Sequence, residues 1–449
     1  MKVINPYSRE PVCVIEIATP EEVQVALDSA RAAFTGWRRT PVVDRVAQVR
    51  AGIDHFRAQR ETIAREITLQ MGKPIAQARS EVDATCERAE HMASIAAECL
   101  APEVLPQEPG FHRRIEHAPL GVVFDLAAWN YPLLIAVNVV VPALLAGNVV
   151  LLKHSSRTPL CGRHFAAAFP HVTDLVLDHA QTGVLLRDGR IDHVAFTGSV
   201  EGGRDVLGHS TANPGFIDTG LELGGADPAY VAADADLEAA VRGIVDGACY
   251  NAGQSCCAVE RVYVHRDLYD EFLDRAGAEL RNYDLGDPLD EGTTMGPIAS
   301  SNAIELLRAH VADAVERGAR LLLGGDTYGE AGQFFTPTLL ADCGNDCRVM
   351  REESFGPLLP VASVADDDEA IARMNDSRFG LTASVWTSDR QRAERFVSEL
   401  EAGTVFQNRC DYLDPALPWT GWGDSGRGST LSRYGFIHLT QRKAVHFRS

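Results

Sequence analysis

Gly121-Val122-Val123-Phe124-Asp125-Leu126 is a short, almost unbroken apolar run, and Ala128-Trp129-Asn130-Tyr131-Pro132 follows it at once. A run of this length reads as a buried strand, and the aromatic turn after it leads into a longer apolar stretch, Tyr131 to Ala146. That stretch is interrupted by Pro132, Asn138 and Pro142 and is too short to span a bilayer, so no membrane partner is expected. Downstream the pattern alternates. Strand-like runs occur at Val149–Lys153, Asp174–Leu177, His193–Phe196 and Ala229–Val231, with helical segments between several of them. The second half repeats the habit at Val262–His265, Arg320–Leu323, Val361–Val364, Ser384–Trp386 and Thr404–Gln407. Buried runs alternating with helices predict parallel sheets with crossover helices, hence an α/β fold of two units with some β material from separated pieces of chain.

Upstream, Thr19-Pro20-Glu21-Glu22 reads as a helix start with a capping box. One long helix is predicted from about Asp44 to Gln70, stopping at Gly72, and another from Ile75 to Glu98. Pro102 to Gly110 reads as a connector into the alternating stretch Phe111–Glu116.

A chain of 449 residues is too long for one ordinary core, so two or three domains are expected. Its 42 Lys and Arg against 62 Asp and Glu give a net charge of -20, with no basic block, which excludes a nucleic-acid surface. Met1 to Arg9 has no apolar stretch suited to a signal peptide. The ten Cys are scattered, and Cys343 and Cys347 have no second ligand pair, so neither a disulfide framework nor a metal is expected. These features point to a soluble protein of a reducing, cytoplasmic compartment.

Four segments carry the chemistry. Asn251-Ala252-Gly253-Gln254-Ser255-Cys256-Cys257 places a Cys on a turn between a helix and a strand, where a thiolate can be presented. By itself it reads first as a buried structural thiol, since free Cys usually packs as a small hydrophobe, and the other segments change that balance. Leu221-Glu222-Leu223-Gly224-Gly225 sets one carboxylate between leucines, which would raise its pKa toward that of a general base; the bland alternative is a solvated strand end. Asn130, just beyond a strand, is either a turn residue or an amide donor to an oxyanion. Phe196-Thr197-Gly198-Ser199 ends a strand and opens a helix whose free N–H groups suit a pyrophosphate, though it is not the GxGxxG fingerprint.

Together and in this order these segments resemble the aldehyde dehydrogenase superfamily. Gln70-Met71-Gly72-Lys73-Pro74, Pro142 to Asn148, Glu352-Glu353-Ser354-Phe355-Gly356-Pro357 and Ser425-Gly426-Arg427-Gly428 extend the resemblance almost end to end. It implies an NAD(P)-dependent, non-acylating enzyme of a divergent branch like the succinate-semialdehyde dehydrogenases. By similarity Cys256 is the nucleophile, Asn130 with the Cys256 N–H holds the oxyanion, and Glu222 activates the water that hydrolyses the thioester. Trp129, Lys153, Ser156, Gly198, Ser199, Glu353 and Phe355 would bind the cofactor; Tyr131, Asn138, Tyr250 and Trp419 would line the substrate tunnel. The implied fold has a variant Rossmann NAD(P)-binding domain (1–103 and 120–222), an α/β catalytic domain (223–436) and a small β oligomerisation flap (104–119 and 437–449). The flap implies self-association as a dimer or a dimer of dimers.

The chain departs from the family's pattern at Ala128, where Pro is usual, at Ala226 and Gly423, where Lys is common, and in a shortened segment between Pro170 and Asp192. Succinic-semialdehyde enzymes usually carry arginines where this chain has Asn138 and Tyr250, which favours neutral aldehydes here, with Arg409 as a compensating cation. Ser156 stands where NAD-selective members carry Glu. NADP is therefore expected to be accepted, even preferred, with Lys153 and either His154 or Arg157 adding positive character, although Arg157 reads first as a solvated surface residue. The rival functions are a CoA-acylating semialdehyde dehydrogenase and a non-catalytic structural relative; the first often lacks the Glu base, and the second would lose nucleophile or base.

Overall fold

The computed structural model describes residues 1–329 and 333–448. In chain order a hairpin, β1 (Lys2–Ile4) and β2 (Pro11–Val14), precedes four helices: α1 (Pro20–Trp37), α2 (Val42–Ala58), α3 (Arg60–Met71) and α4 (Ile75–Cys99). Next come β3 (Glu103–Val104), β4 (Phe111–Pro119), β5 (Val122–Ala127), α5 (Pro132–Ala146), β6 (Val149–His154), α6 (Pro159–Ala168) and β7 (Val172–Asp174). The run α7 (His179–Leu186), β8 (His193–Thr197), α8 (Val200–Ser210), β9 (Asp218–Glu222), β10 (Asp227–Val231), α9 (Leu237–Cys249) and β11 (Val259–His265) leads into the second half.

Thr19 caps α1 as expected: its hydroxyl accepts from the Glu22 N–H, and Glu22 accepts from the Thr19 N–H. The helix expected over Asp44 to Gln70 is instead two, broken at Gln59 (φ -101°). No Pro or Gly marks the break. The turn lets Val49, Ile53 and Phe56 of α2 and Ile63, Ala64 and Ile67 of α3 enter one core, and packing overrides the continuous helical pattern. The strand expected at Asp174–Leu177 lies earlier, at β7, while Leu175 and Leu177 are buried beyond its end. Their burial produced the apolar signal.

Two sheets organise the chain. The first has the order Gly426–Arg427, β9, β8, β5, β6, β7, parallel except for the Gly426–Arg427 edge. Beginning at β5, the chain runs first to one side and then to the other, and ligands of open parallel sheets bind outside the carboxyl ends of the strands at such a switch. The second sheet has the order Arg320–Leu323, Thr338–Ala341, Leu358–Val364, β11, β10, Thr382–Trp386, Thr404–Gln407, again parallel but for its first pair. A third, three-stranded sheet joins β3, β4 and Thr440–Arg448, with Thr440 opposite Pro119 and Arg448 opposite Phe111. Ser449, assigned to the flap, lies outside the described residues.

The chain crosses the sequence-based division at 223–436, because Gly426–Arg427 joins the first sheet and the helix Ser432–His438 packs on α4 and α5. Helix α5 is buried nearly all round, with Pro132 at its start and Gly147 in the left-handed region at its end (φ 96°). No helix among the described residues is long and apolar enough to cross a membrane.

Candidate active site

Beyond α9 three successive residues adopt left-handed backbone: Asn251 (φ 53°), Ala252 (φ 56°) and Gly253 (φ 70°). Asn tolerates this conformation and Gly adopts it freely, whereas Ala252 is strained there. A Cβ on Gly253 would stand 2.3 Å from the Gly356 carbonyl oxygen, so both space and conformation require glycine. The Asn251 side-chain amide donates to the carbonyls of Asn130 (3.2 Å) and Gln254 (3.1 Å), tying the turn to the end of β5. The turn leaves Cys256 half-buried on a cavity wall and buries Cys257, whose thiol donates to Asp411 (3.0 Å). Behind it Gly225 lies so close that a Cβ there would meet the Cys256 carbonyl oxygen at 2.3 Å.

Glu222 ends β9 and faces the same cavity. Burial raises its pKa, while hydrogen bonds from Thr430 and Thr197 (3.3 Å) and the attraction of Arg88 favour its ionised form. Asn130 is buried, and its amide donates to the Gln254 carbonyl (3.2 Å). An amide has two N–H groups, so this bond orients Asn130 and leaves a second donor.

The cavity, about 320 Å³, brings together Cys256, Glu222, Asn130, Tyr131, Asn138, Tyr250 and Trp419, all named from the sequence. Tyr131 is held by a buried pair that the sequence does not announce: the Lys73 ammonium lies 3.8 Å from its ring centre and pairs with Glu81. Arg409, the expected compensating cation, is exposed, lies 3.3 Å from the ring centre of Tyr412, and does not line the cavity. The lining cation is Arg88 of α4, which donates to the Asn138 side chain (3.2 Å). A hint was present, since Gln77, Glu81, Ala84 and Arg88 recur at helical spacing.

Cofactor candidates gather at the carboxyl ends of the first sheet: Trp129 after β5, Lys153 as the penultimate residue of β6, Ser156 beyond it, and Gly198 and Ser199 after β8. Ser199 caps α8, accepting from the Gly202 N–H (3.1 Å). The Lys153 ammonium makes no hydrogen bond or ion pair with another described residue, and burial lowers its pKa. Ser156 is exposed. Two expectations fail here. His154 is buried with both ring nitrogens unpartnered, and burial pushes its pKa down to about 3, so it adds no charge. Arg157 is not a solvated surface residue: it donates to the Ala299 carbonyl and its guanidinium lies 5.1 Å from the Trp129 ring centre.

Across the cleft, Glu353 lines a space of about 640 Å³ with Val200, Glu201 and Arg378. Burial pushes its pKa up to about 7, against a hydrogen bond from the Gly225 N–H (3.1 Å). Phe355 meets Trp129 edge-on at 5.6 Å. Its left-handed backbone (φ 54°) is pinned by Glu260, which accepts from the N–H groups of Ser354 and Phe355 (2.8 Å each). Sequence reasoning missed Glu260. At the amino ends of the neighbouring strands β8 and β9, His193 and Asp218 with His438 bring donor atoms within 4.8 Å of one another.

Comparison with known proteins agrees with this geometry. Succinate-semialdehyde dehydrogenase (NADP(+)) 1 of Mycobacterium tuberculosis is 35% identical over 456 aligned residues, covering 98% of each chain. The structure of Gox0499, solved to examine cofactor and substrate selection, matches with a TM-score of 0.95 at 35% identity, over 99% of this chain and 98% of its own. Betaine aldehyde dehydrogenase of Staphylococcus aureus, solved in complex with NAD+, matches with a TM-score of 0.95 at 30% identity, over 100% of this chain and 92% of its own. The family model for aldehyde dehydrogenases covers residues 1–445, and on these grounds the chain belongs to the aldehyde dehydrogenase family.

Proposed function

We propose that this enzyme oxidises a small aldehyde to the carboxylic acid with NAD(P)+, using Cys256 as nucleophile, Asn130 as oxyanion donor and Glu222 as general base. The observation that carries the reading is that these three side chains line one cavity. The Cys256 thiolate adds to the aldehyde carbon, and the new oxyanion is held by the free Asn130 N–H and the Cys256 backbone N–H. The nicotinamide, when bound, supplies the hydride acceptor. Loss of hydride leaves a thioester on Cys256. Glu222 takes a proton from water as the water attacks that thioester, the thiolate departs, and the acid is released. The presence of Glu222 in the cavity favours water over CoA as the acyl acceptor.

The residues near the first sheet suit the cofactor. Lys153, unpaired at a strand's carboxyl end, would meet the adenosine ribose, and Ser199 with the start of α8 the pyrophosphate. Glu353 would meet the nicotinamide ribose, with Trp129 and Phe355 beside it. Ser156 brings no negative charge against a 2′-phosphate, which supports use of NADP as well as NAD; the M. tuberculosis relative is named for NADP and the S. aureus structure holds NAD.

The division into cofactor domain, catalytic domain and flap, with 426–436 packed on the cofactor side, is part of this reading. So is self-association: the three-stranded sheet leaves Val104 and Phe447 exposed, at 77% and 58%, where a partner's sheet could cover them. Ten free thiols suit a reducing compartment, the cytoplasm.

The test is a pair of variants. Cys256→Ala should abolish turnover and keep cofactor binding. Glu222→Gln should give a burst of NAD(P)H followed by slow turnover, as thioester accumulates. Steady turnover comparable to the parent in either variant would sink the mechanism.

A further inference from the structure

Arg88 is the one cation among the described residues that line the Cys256 cavity. It is 9% exposed, and its guanidinium has one hydrogen bond, to the neutral Asn138 amide at 3.2 Å. No described carboxylate forms an ion pair with it, although several stand nearby. Glu81 is committed to Lys73 and to the Leu133 N–H (2.9 Å). Asp411 accepts from Ser255 (3.2 Å) and Cys257 (3.0 Å). Glu222 accepts from Thr197 (3.3 Å) and Thr430. Glu87 and Asp246 are exposed, at the cavity's solvent side.

A buried guanidinium with four donor groups left over and no counter-ion is costly to the fold, and such a group makes sense where a ligand brings the missing charge. We propose that Arg88 anchors a carboxylate at the far end of the aldehyde, so that this cavity selects short aldehydes bearing one terminal carboxylate. The proposal rests on the reading of Cys256 as the nucleophile of this cavity. It reverses the expectation of neutral substrates: positions 138 and 250 lack arginine, but the cation arrives from α4 and is bonded to Asn138 itself. The surroundings favour a singly charged tail. One guanidinium can pair with one carboxylate in a two-point contact, whereas a phosphate would carry further charge toward Asp246 and Glu87.

Charge at Arg88 also reaches Glu222, whose ionised form it favours, so a role through the base must be separated from a role on the substrate. The experiment compares kcat/KM for succinic semialdehyde with that for pentanal, in the parent, Arg88→Lys and Arg88→Met enzymes. The expected result is a parent preference for the charged aldehyde that falls about ten- to a hundredfold in Arg88→Met, mainly through KM, and is partly kept in Arg88→Lys. A loss equal for both aldehydes, with the ratio unchanged, would mean that Arg88 acts only through Glu222 or the fold and would overturn the proposal. A parent enzyme preferring pentanal would do the same. Binding of glutarate to Cys256→Ala protein, with and without Arg88→Met, needs no chemistry. Glutarate binding that depends on Arg88, in an enzyme inert toward both aldehydes, would overturn the catalytic reading and leave the anchor standing. Thermal melts guard against misfolding, since Arg88→Met removes a desolvated charge and should hold or raise Tm.

Discussion

Gly225→Ala tests how tightly the nucleophile is positioned. The added Cβ would lie 2.3 Å from the Cys256 carbonyl oxygen and 2.9 Å from Oδ1 of Asp227, whereas ordinary contact begins at 3.4 Å. The main-chain oxygen cannot swing aside like a side-chain end, so the overlap of about 1.1 Å must be relieved by moving the Cys256 turn or β10. Overpacking of this kind costs about 1–3 kcal/mol, a fall of a few degrees in Tm. The larger effect is on rate: misplacement by about 1 Å can cost about a hundredfold. The expected outcome is a kcat lowered about a hundredfold, seen in the NAD(P)H burst as slowed acylation, with cofactor binding kept. Gly208→Ala is the control, because nothing lies within 4 Å of its Cβ. Helical Ala there should hold or raise stability, by at most about 1 kcal/mol, and leave kcat alone. If Gly225→Ala turns over within a few-fold of the parent, the turn is not held by this contact and the argument fails.

Two further outcomes follow from the site. Burial raises the pKa of Glu222, so thioester hydrolysis should fall off on the acid side above the ordinary carboxylate range, as protonation removes the base. Thr430→Val removes a donor that favours the ionised form and should move this limb to higher pH in single-turnover deacylation; a move to lower pH would contradict the assignment. Ser156→Glu should raise KM for NADP well before it affects NAD, by like charge against the 2′-phosphate, and equal effects on both would refute the placement of Ser156.

What the sequence alone determined is what short pieces of chain encode locally. The apolar run of β5 and the Pro132 start of α5 specify a strand, turn and helix without help from elsewhere, and the Thr19–Glu22 box specifies the start of α1. The resemblance then named Cys256, Glu222 and Asn130, but not what surrounds them. Tertiary structure alone decided that Thr430 would reach Glu222 across 208 residues, that Glu260 would pin Phe355 across 95, and that Arg88 would enter the Cys256 cavity. It also decided the break at Gln59, where two helices with one continuous pattern share a core. The reason is physical: helical spacing and turn preference act over a few residues, whereas a buried charge or hydroxyl finds its partner wherever the packed chain brings one, and such pairings leave no period in the sequence.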